Sequence, residues 1–141
     1  MLQRKTPLKR TAIKKRRKVD KRTPGEREYF SWLAEQPCAV SKASSIYCER
    51  SHIRRLKYGA GTGKKPSDWF AIPIMQILHQ RLHQMGDKTW ENQYGPQESF
   101  LWQTWLSYGL DKIPQEIRML YYEQVGETVI KEEREARERT G

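Results

Sequence analysis

The chain has 141 residues, of which 36% are hydrophobic and 31% are charged, so it can bury only a small core in one domain with extensions. Its formal net charge is +10, and it contains no apolar run of 18 residues and no apolar stretch after its basic start. This pattern argues against a membrane span and a secretory signal, and we expect a cytoplasmic protein. Cys38 and Cys48 are too few for a disulfide scaffold and are predicted to be free thiols or metal ligands.

The positive charge is concentrated in residues 1–22, which carry eleven basic residues and one acid, whereas the charges of residues 23–141 cancel. This tail lacks apolar periodicity and is predicted to be disordered when free. Its basic side chains are predicted to contact nucleic-acid phosphates, which gives a salt-sensitive, sequence-independent affinity. A solubilising tail and a nuclear address are the alternatives. The predicted contacts are Arg4, Lys5, Lys9, Arg10, Lys14, Lys15, Arg16, Arg17 and Lys18.

The first predicted helix lies in "TPGEREYFSWLAEQP". Thr23 is a suitable N-cap, Pro24 suits the first helical position, and Glu26 would complete a capping box. The aromatic residues that follow give the helix an apolar face, and Pro37 is expected to end it.

A β-hairpin is predicted next, because β-prone residues around 39–40 and 46–48 flank a serine-rich turn. The glycine-rich loop "LKYGAGTGKKPSD" follows, and its spacing does not match a phosphate-binding P-loop. After it, "WFAIPIM" is apolar and partly extended, since Pro73 opposes a helix.

The rest of the chain is predicted to be helical. Helices are expected in "MQILHQRLHQMG", over 96–108, over 114–125 before Gly126, and over the charged end 127–141. Three tryptophans in these helices have apolar neighbours and are predicted to be core residues rather than base-stacking platforms. They are Trp90, Trp102 and Trp105.

Two of the three histidines form the sequence "HQRLH". In a helix His79 and His83 lie on one face, with Cβ atoms about 5–6 Å apart, so both imidazoles can bind one divalent ion. Alone, the pair is a weak signal, because this spacing more often belongs to surface or partly buried histidines with ordinary hydrogen bonds. His52, in "ERSHIRRL", adds a strand-borne imidazole, and a basic loop separates it from the pair. Together these features outline a ββα-metal site, in which an imidazole activates water and a cation stabilises phosphate charge.

The stretch "SHIRRLKYGAGTGKKPSDWFAIPIMQILHQRLHQMG" resembles the phage and prophage HNH-like nucleases of the Ref and YbcO kind, over about residues 37–95. The basic leader "QRKTPLKRT" is also typical of such proteins. The resemblance implies an α+β fold: a small ββα-metal core over 23–126 with flanking helices, a basic tail, and a charged C-terminal helix. It further implies a metal-dependent DNA endonuclease of recombination or DNA processing in a bacterial host cell, with a recombinase filament as a further partner. The alternative is a non-catalytic nucleic-acid-binding module with a remnant metal site.

Carried onto this chain, the resemblance implies that His52 is the water-activating base and that Asp68 is a ligand or an orienter of catalytic groups. It implies that His79 and His83 hold one divalent ion, with Mg²⁺, Mn²⁺ and Zn²⁺ all compatible. The alternatives are a turn-capping role for Asp68 and a packing role for His52. Four basic residues beside the site are expected either to bind phosphates or to be solvated surface charges. They are Arg54, Arg55, Lys64 and Lys65.

Relatives of this kind often carry a second, structural zinc, held by two cysteines near the hairpin and by two ligands at the helix start. Here Cys38 and Cys48 are present, but the helix positions are Met75 and Leu78. Methionine is a poor zinc ligand and leucine is none, so a four-ligand site cannot be completed. We predict that this zinc is absent, that Met75 and Leu78 pack as apolar residues, and that the cysteines are buried thiols or an opportunistic pair.

Overall fold

The structure, a computed structural model, describes residues 21–55, residue 58 and residues 66–140. Within them the fold is α+β, as predicted, with five helices and one two-stranded antiparallel sheet. The chain order is α1 (Pro24–Leu33), β1 (Cys48–His52), β2 (Ala71–Met75), α2 (Gln76–Met85), α3 (Asp87–Tyr94), α4 (Gln97–Tyr108) and α5 (Gln115–Thr140). None of the helices described is long and apolar enough to cross a membrane.

The sheet pairs β1 with β2, so the predicted hairpin is wrong. Cys48 lies opposite Met75 and His52 lies opposite Ala71, whereas residues 39–40 form a turn. The reason is burial: four of the five residues of β2 are buried, and this apolar strand needs a full hydrogen-bonded partner. Among the described residues the turn contributes one backbone-to-backbone hydrogen bond to it, from the Ala39 N–H to the Pro73 carbonyl at 2.8 Å.

Helix α1 begins as predicted, but its capping box is half formed. The Thr23 hydroxyl accepts the Glu26 N–H at 3.3 Å. The Glu26 carboxylate instead accepts the Ser67 hydroxyl at 2.7 Å and the Asp68 N–H at 2.8 Å. A long-range contact has replaced the local one, and it ties α1 to the turn that precedes β2.

The core lies between α1, the sheet and α4. The prediction that the tryptophans are core residues is confirmed: Trp90 and Trp105 are fully buried and Trp102 is nearly so. The Trp105 indole donates to the Trp69 carbonyl at 2.8 Å, which secures the short 3-10 turn Asp68–Phe70 against α4. The Tyr29 hydroxyl donates to the Ala71 carbonyl at 2.9 Å, which joins α1 to the start of β2.

The helical second half agrees with the prediction except at two glycines. After Gly86, which has φ 83°, the chain forms helix α3, for which no bounds were predicted, because glycine lets the chain change direction there. The predicted helix end at Gly126 is wrong, since α5 runs through that residue. A glycine inside an exposed helix costs only about 1 kcal/mol relative to alanine, which is too little to end it.

Candidate metal and phosphate site

A cavity of about 600 Å³ opens between the end of α1, strand β1 and helix α2. It brings together His52, His79, His83 and Arg54, which the sequence analysis selected from separate segments. Helix α2 follows β2 directly, and β2 pairs with β1, so the antiparallel register carries the helix histidines to the strand that bears His52. The predicted tail contacts and two loop lysines lie outside the described residues: Arg4, Lys5, Lys9, Arg10, Lys14, Lys15, Arg16, Arg17, Lys18, Lys64 and Lys65.

His52 is held by Asp68. The Nε2 atom of His52 lies 2.7 Å from Asp68 Oδ1, and both side chains are largely buried. Because an ionised carboxylate only accepts hydrogen bonds, Nε2 carries the proton, and Nδ1 of the neutral ring keeps a lone pair. Asp68 does not line the cavity but supports the residue that does. Its other oxygen is 3.3 Å from the Arg22 guanidinium, and Glu26 fixes its backbone.

His79 and His83 point their Nε2 atoms at each other, 3.0 Å apart. The opposite nitrogen of His79, Nδ1, lies 2.7 Å from Glu49 Oε2 on β1. The carboxylate accepts the Nδ1 proton, so in the neutral His79 ring the lone pair is on Nε2 and faces His83. The His83 Nε2–H can donate to it, and the other His83 tautomer would place two lone pairs together.

The donor set of this histidine pair fits a cation. For two imidazole nitrogens that bind one ion at about 2.0–2.1 Å, a separation near 3 Å corresponds to bonds about 90° apart. The Glu49 contact is the carboxylate–histidine support typical of metal-bound imidazoles. No group of three or more His, Cys, Asp or Glu residues that could share an ion occurs among the described residues. In the part of the chain that the structure describes, the two imidazoles are the nitrogen donors that face each other here, and water or substrate could supply further ligands.

The two predicted arginines differ in their surroundings. Arg54 is exposed and lines the cavity. Arg55 contacts two acidic residues of α3: its guanidinium lies 3.5 Å from Asp87 and forms an ion pair with Glu91. The charge of Arg55 is already compensated by these two acidic residues. Arg54 is therefore the better placed of the two arginines to contact a phosphate.

Three residues of the site were not selected from the sequence: Glu49, Arg50 and Phe30. Arg50 stacks over the Phe30 ring at 3.8 Å, donates to the Phe30 carbonyl at 3.0 Å, and lines the cavity with it. The available signal was the pair of charged residues in "CERSH", next to a histidine in a β-prone segment. Glu49 contacts a residue 30 positions away in the chain, and Arg50 contacts one 20 positions away. No local sequence pattern reveals contacts over such separations.

The two cysteines are free thiols, with Cys38 buried and Cys48 half-buried. Leu78 is part of the buried core and Met75 packs against it, as expected for apolar residues at these positions. The absence of a structural zinc stays a prediction.

Comparison with known proteins places most of the chain in one family. The family model described as "Protein of unknown function (DUF968)" matches residues 7–111. No curated protein and no solved structure matches the chain.

Proposed function

We propose a function for this chain, which belongs to the DUF968 family, from the geometry of its site. The protein is a divalent-metal-dependent endonuclease that hydrolyses phosphodiester bonds in DNA, with an HNH-like ββα-metal core. The observation that carries the proposal is that one cavity contains two sets of histidine side chains, each set hydrogen-bonded to a carboxylate. One set is His52 with Asp68, and the other is His79 and His83 with Glu49.

The order of elements supports the proposal. Strand β1, strand β2 and helix α2 follow one another with no α-helix between them in the described residues, and the 3-10 turn Asp68–Phe70 leads directly into β2. The base is at the end of the first strand, and the histidine pair is on the helix. This is the arrangement that the resemblance to HNH-like nucleases implies.

His52 is the general base. With its Nε2 proton held by Asp68, the Nδ1 lone pair is available to accept a proton from the attacking water. The imidazolium that forms is stabilised by the Asp68 carboxylate, which remains ionised. Asp68 is itself held by the Glu26 contact to its backbone, so the imidazole does not need to reorient during the reaction.

His79 and His83 hold the cation, and Glu49 fixes the tautomer of His79. Bound Mg²⁺, Mn²⁺ or Zn²⁺ would supply positive charge to the scissile phosphate and to the departing oxygen. Arg54 and Arg50, on the cavity wall, contribute further positive charge to a DNA backbone.

The biological setting follows from the resemblance: a phage or prophage protein of the bacterial cytoplasm that acts in recombination or DNA processing. The basic tail adds loose, salt-sensitive affinity for DNA, single- or double-stranded. A recombinase filament is the further partner that the resemblance implies.

The test is DNA cleavage by the full-length protein. Supercoiled and single-stranded DNA are incubated with Mg²⁺ or Mn²⁺ and with wild type, His52→Ala, His83→Ala or Gln80→Ala. Gln80 lies on the exposed face of α2 and is the matched control. We expect wild type and Gln80→Ala to cut, and each histidine variant to lose about a hundredfold or more in rate. Cleavage that survives both histidine changes contradicts the proposal. Tight binding without cleavage by wild type would support the non-catalytic nucleic-acid-binding module.

A further inference from the structure

Three sulfur-bearing side chains lie near one another at the end of the sheet that adjoins α2. Cys48 and Met75 are directly opposite each other in the β1–β2 ladder. Cys38, in the turn after α1, lies beside both: Ser41 hydrogen-bonds to Cys38 Sγ and to Met75 Sδ, and the Cys38 side chain neighbours that of Cys48. Residues from three separate segments thus bring two thiols and a thioether together.

The turn around Cys38 is shaped to hold a thiolate. The Ser41 N–H donates to Cys38 Sγ at 3.4 Å. The Lys42 N–H donates to the Cys38 carbonyl at 2.9 Å, and Lys42 adopts a φ of 64°, uncommon for a residue other than glycine. Burial alone would raise the pKa of Cys38, but hydrogen bonds from Ser41, Met75 and Val40 outweigh it and lower that pKa. Backbone N–H groups converging on one sulfur are the feature that stabilises its anion.

The other two sulfurs are also oriented. The Ser41 hydroxyl donates to Met75 Sδ at 3.1 Å, so one residue of the turn contacts both Cys38 and the thioether. Cys48 Sγ lies 3.5 Å from the Ser44 carbonyl, which accepts its weak S–H bond. Burial and the neighbouring Cys38 raise the pKa of Cys48.

We propose that Cys38, Cys48 and Met75 form a binding site for a soft monovalent cation of the Cu(I) class. Thiolate and thioether ligands select such ions, and three sulfurs satisfy their low coordination number. Zinc requires four good donors, and Leu78, one turn after Met75, is buried and supplies none. Binding replaces the thiol protons of Cys38 and Cys48, which are released to solvent, and no electron is transferred.

The site is accessible from one side. Cys38 is fully buried, whereas Cys48 and Met75 are half-buried, so an ion enters past the two strand residues. Occupancy would join the turn after α1 to both strands, directly before α2. The inference is independent of the proposed nuclease activity, because no part of it uses His52, His79 or His83.

The experiment is a Cu(I) titration of the full-length reduced protein under anaerobic conditions, in competition with the chromogenic chelator bicinchoninate. The wild-type protein is expected to retain one equivalent of Cu(I) against the chelator. The Cys38→Ser and Cys48→Ser variants are expected to retain no Cu(I). Met75→Leu should weaken binding by about 10- to 100-fold, the range for losing a supporting group at a metal site. Met85→Leu, at the exposed end of α2, is the matched control and should bind as wild type does. Cu(I) should also raise the melting temperature of wild type but not of Cys38→Ser.

Three results would overturn the inference. The first is that the wild-type protein retains no Cu(I) in competition with the chelator. The second is that Met75→Leu and Met85→Leu have equal affinity for Cu(I), because the Met75 thioether would then not be a ligand. The third is that the wild-type protein binds one equivalent of Zn²⁺ at the cysteines and that this Zn²⁺ excludes Cu(I). Since the readout is metal retention and not DNA cleavage, its failure and that of the nuclease proposal are distinguishable.

Discussion

His52 Nε2 lies 2.7 Å from Asp68 Oδ1, although 16 residues separate the two in the chain. The contact depends on the sheet register, which sets His52 opposite Ala71, and on the 3-10 turn that begins at Asp68. In the proposed reaction Asp68 therefore acts through His52, since Asp68 does not line the cavity.

Replacing Asp68 with Asn should slow cleavage about a hundredfold or more, because the amide can hold the wrong imidazole tautomer and cannot stabilise an imidazolium. Affinity for Mn²⁺ should stay at the wild-type value, since His79 and His83 are untouched. Single-turnover cleavage and calorimetry measure the two quantities. Asp111→Asn, at an exposed position, is the control. A rate equal to that of the control would remove Asp68 from the catalytic arrangement.

His79→Ala and His83→Ala should each abolish the tightest Mn²⁺ binding in a calorimetric titration, because one imidazole remains where two converge. Gln84→Ala, next to His83 and exposed, should titrate like wild type. Undiminished Mn²⁺ affinity in both histidine variants would place any metal elsewhere.

Glu49→Gln should weaken Mn²⁺ binding by about 10- to 100-fold, the usual effect of losing the carboxylate that supports a ligating histidine. The imidazoles themselves remain, so saturating metal should restore much of the cleavage rate. Glu35→Gln, exposed at the end of α1, is the charge-matched control. If Glu49→Gln and Glu35→Gln gave the same metal affinity, the contact to His79 would be incidental.

Trp105→Phe should lower the free energy of unfolding by about 1–3 kcal/mol, because the Trp69 carbonyl loses its buried indole donor. Urea denaturation measures the change. Trp102→Phe removes an indole that packs edge-on against the Trp105 and Tyr121 rings, so it should cost less. Equal losses would mean that ring volume, not the hydrogen bond, determines the effect.

Deleting residues 2–20 should reduce the slope of log affinity against log salt for DNA by about 0.9 for each phosphate contact that the tail makes to duplex. Arg22 is retained because it pairs with Asp68, and its loss would also disturb the site. An unchanged slope would exclude the tail from DNA binding.

Local sequence was sufficient for the start of α1 at Thr23, the tryptophan core, and the placement of His79 and His83 on one helical face. Each depends on capping chemistry or on periodicity within about a dozen residues, which the chain carries wherever it folds. The α+β class followed from the resemblance to HNH-like nucleases. The same resemblance selected His52 and Asp68 as site residues, though not their contact.

The tertiary structure decided which strands pair, and with them the chemistry of the site. The partner of β1 is β2 rather than residues 39–40, because the more deeply buried strand needs a complete set of backbone hydrogen bonds. That one choice sets Asp68 against His52, Glu49 against His79, and Cys48 against Met75. Such contacts depend on which apolar surfaces exclude water together, a property of the whole chain that no local spacing contains.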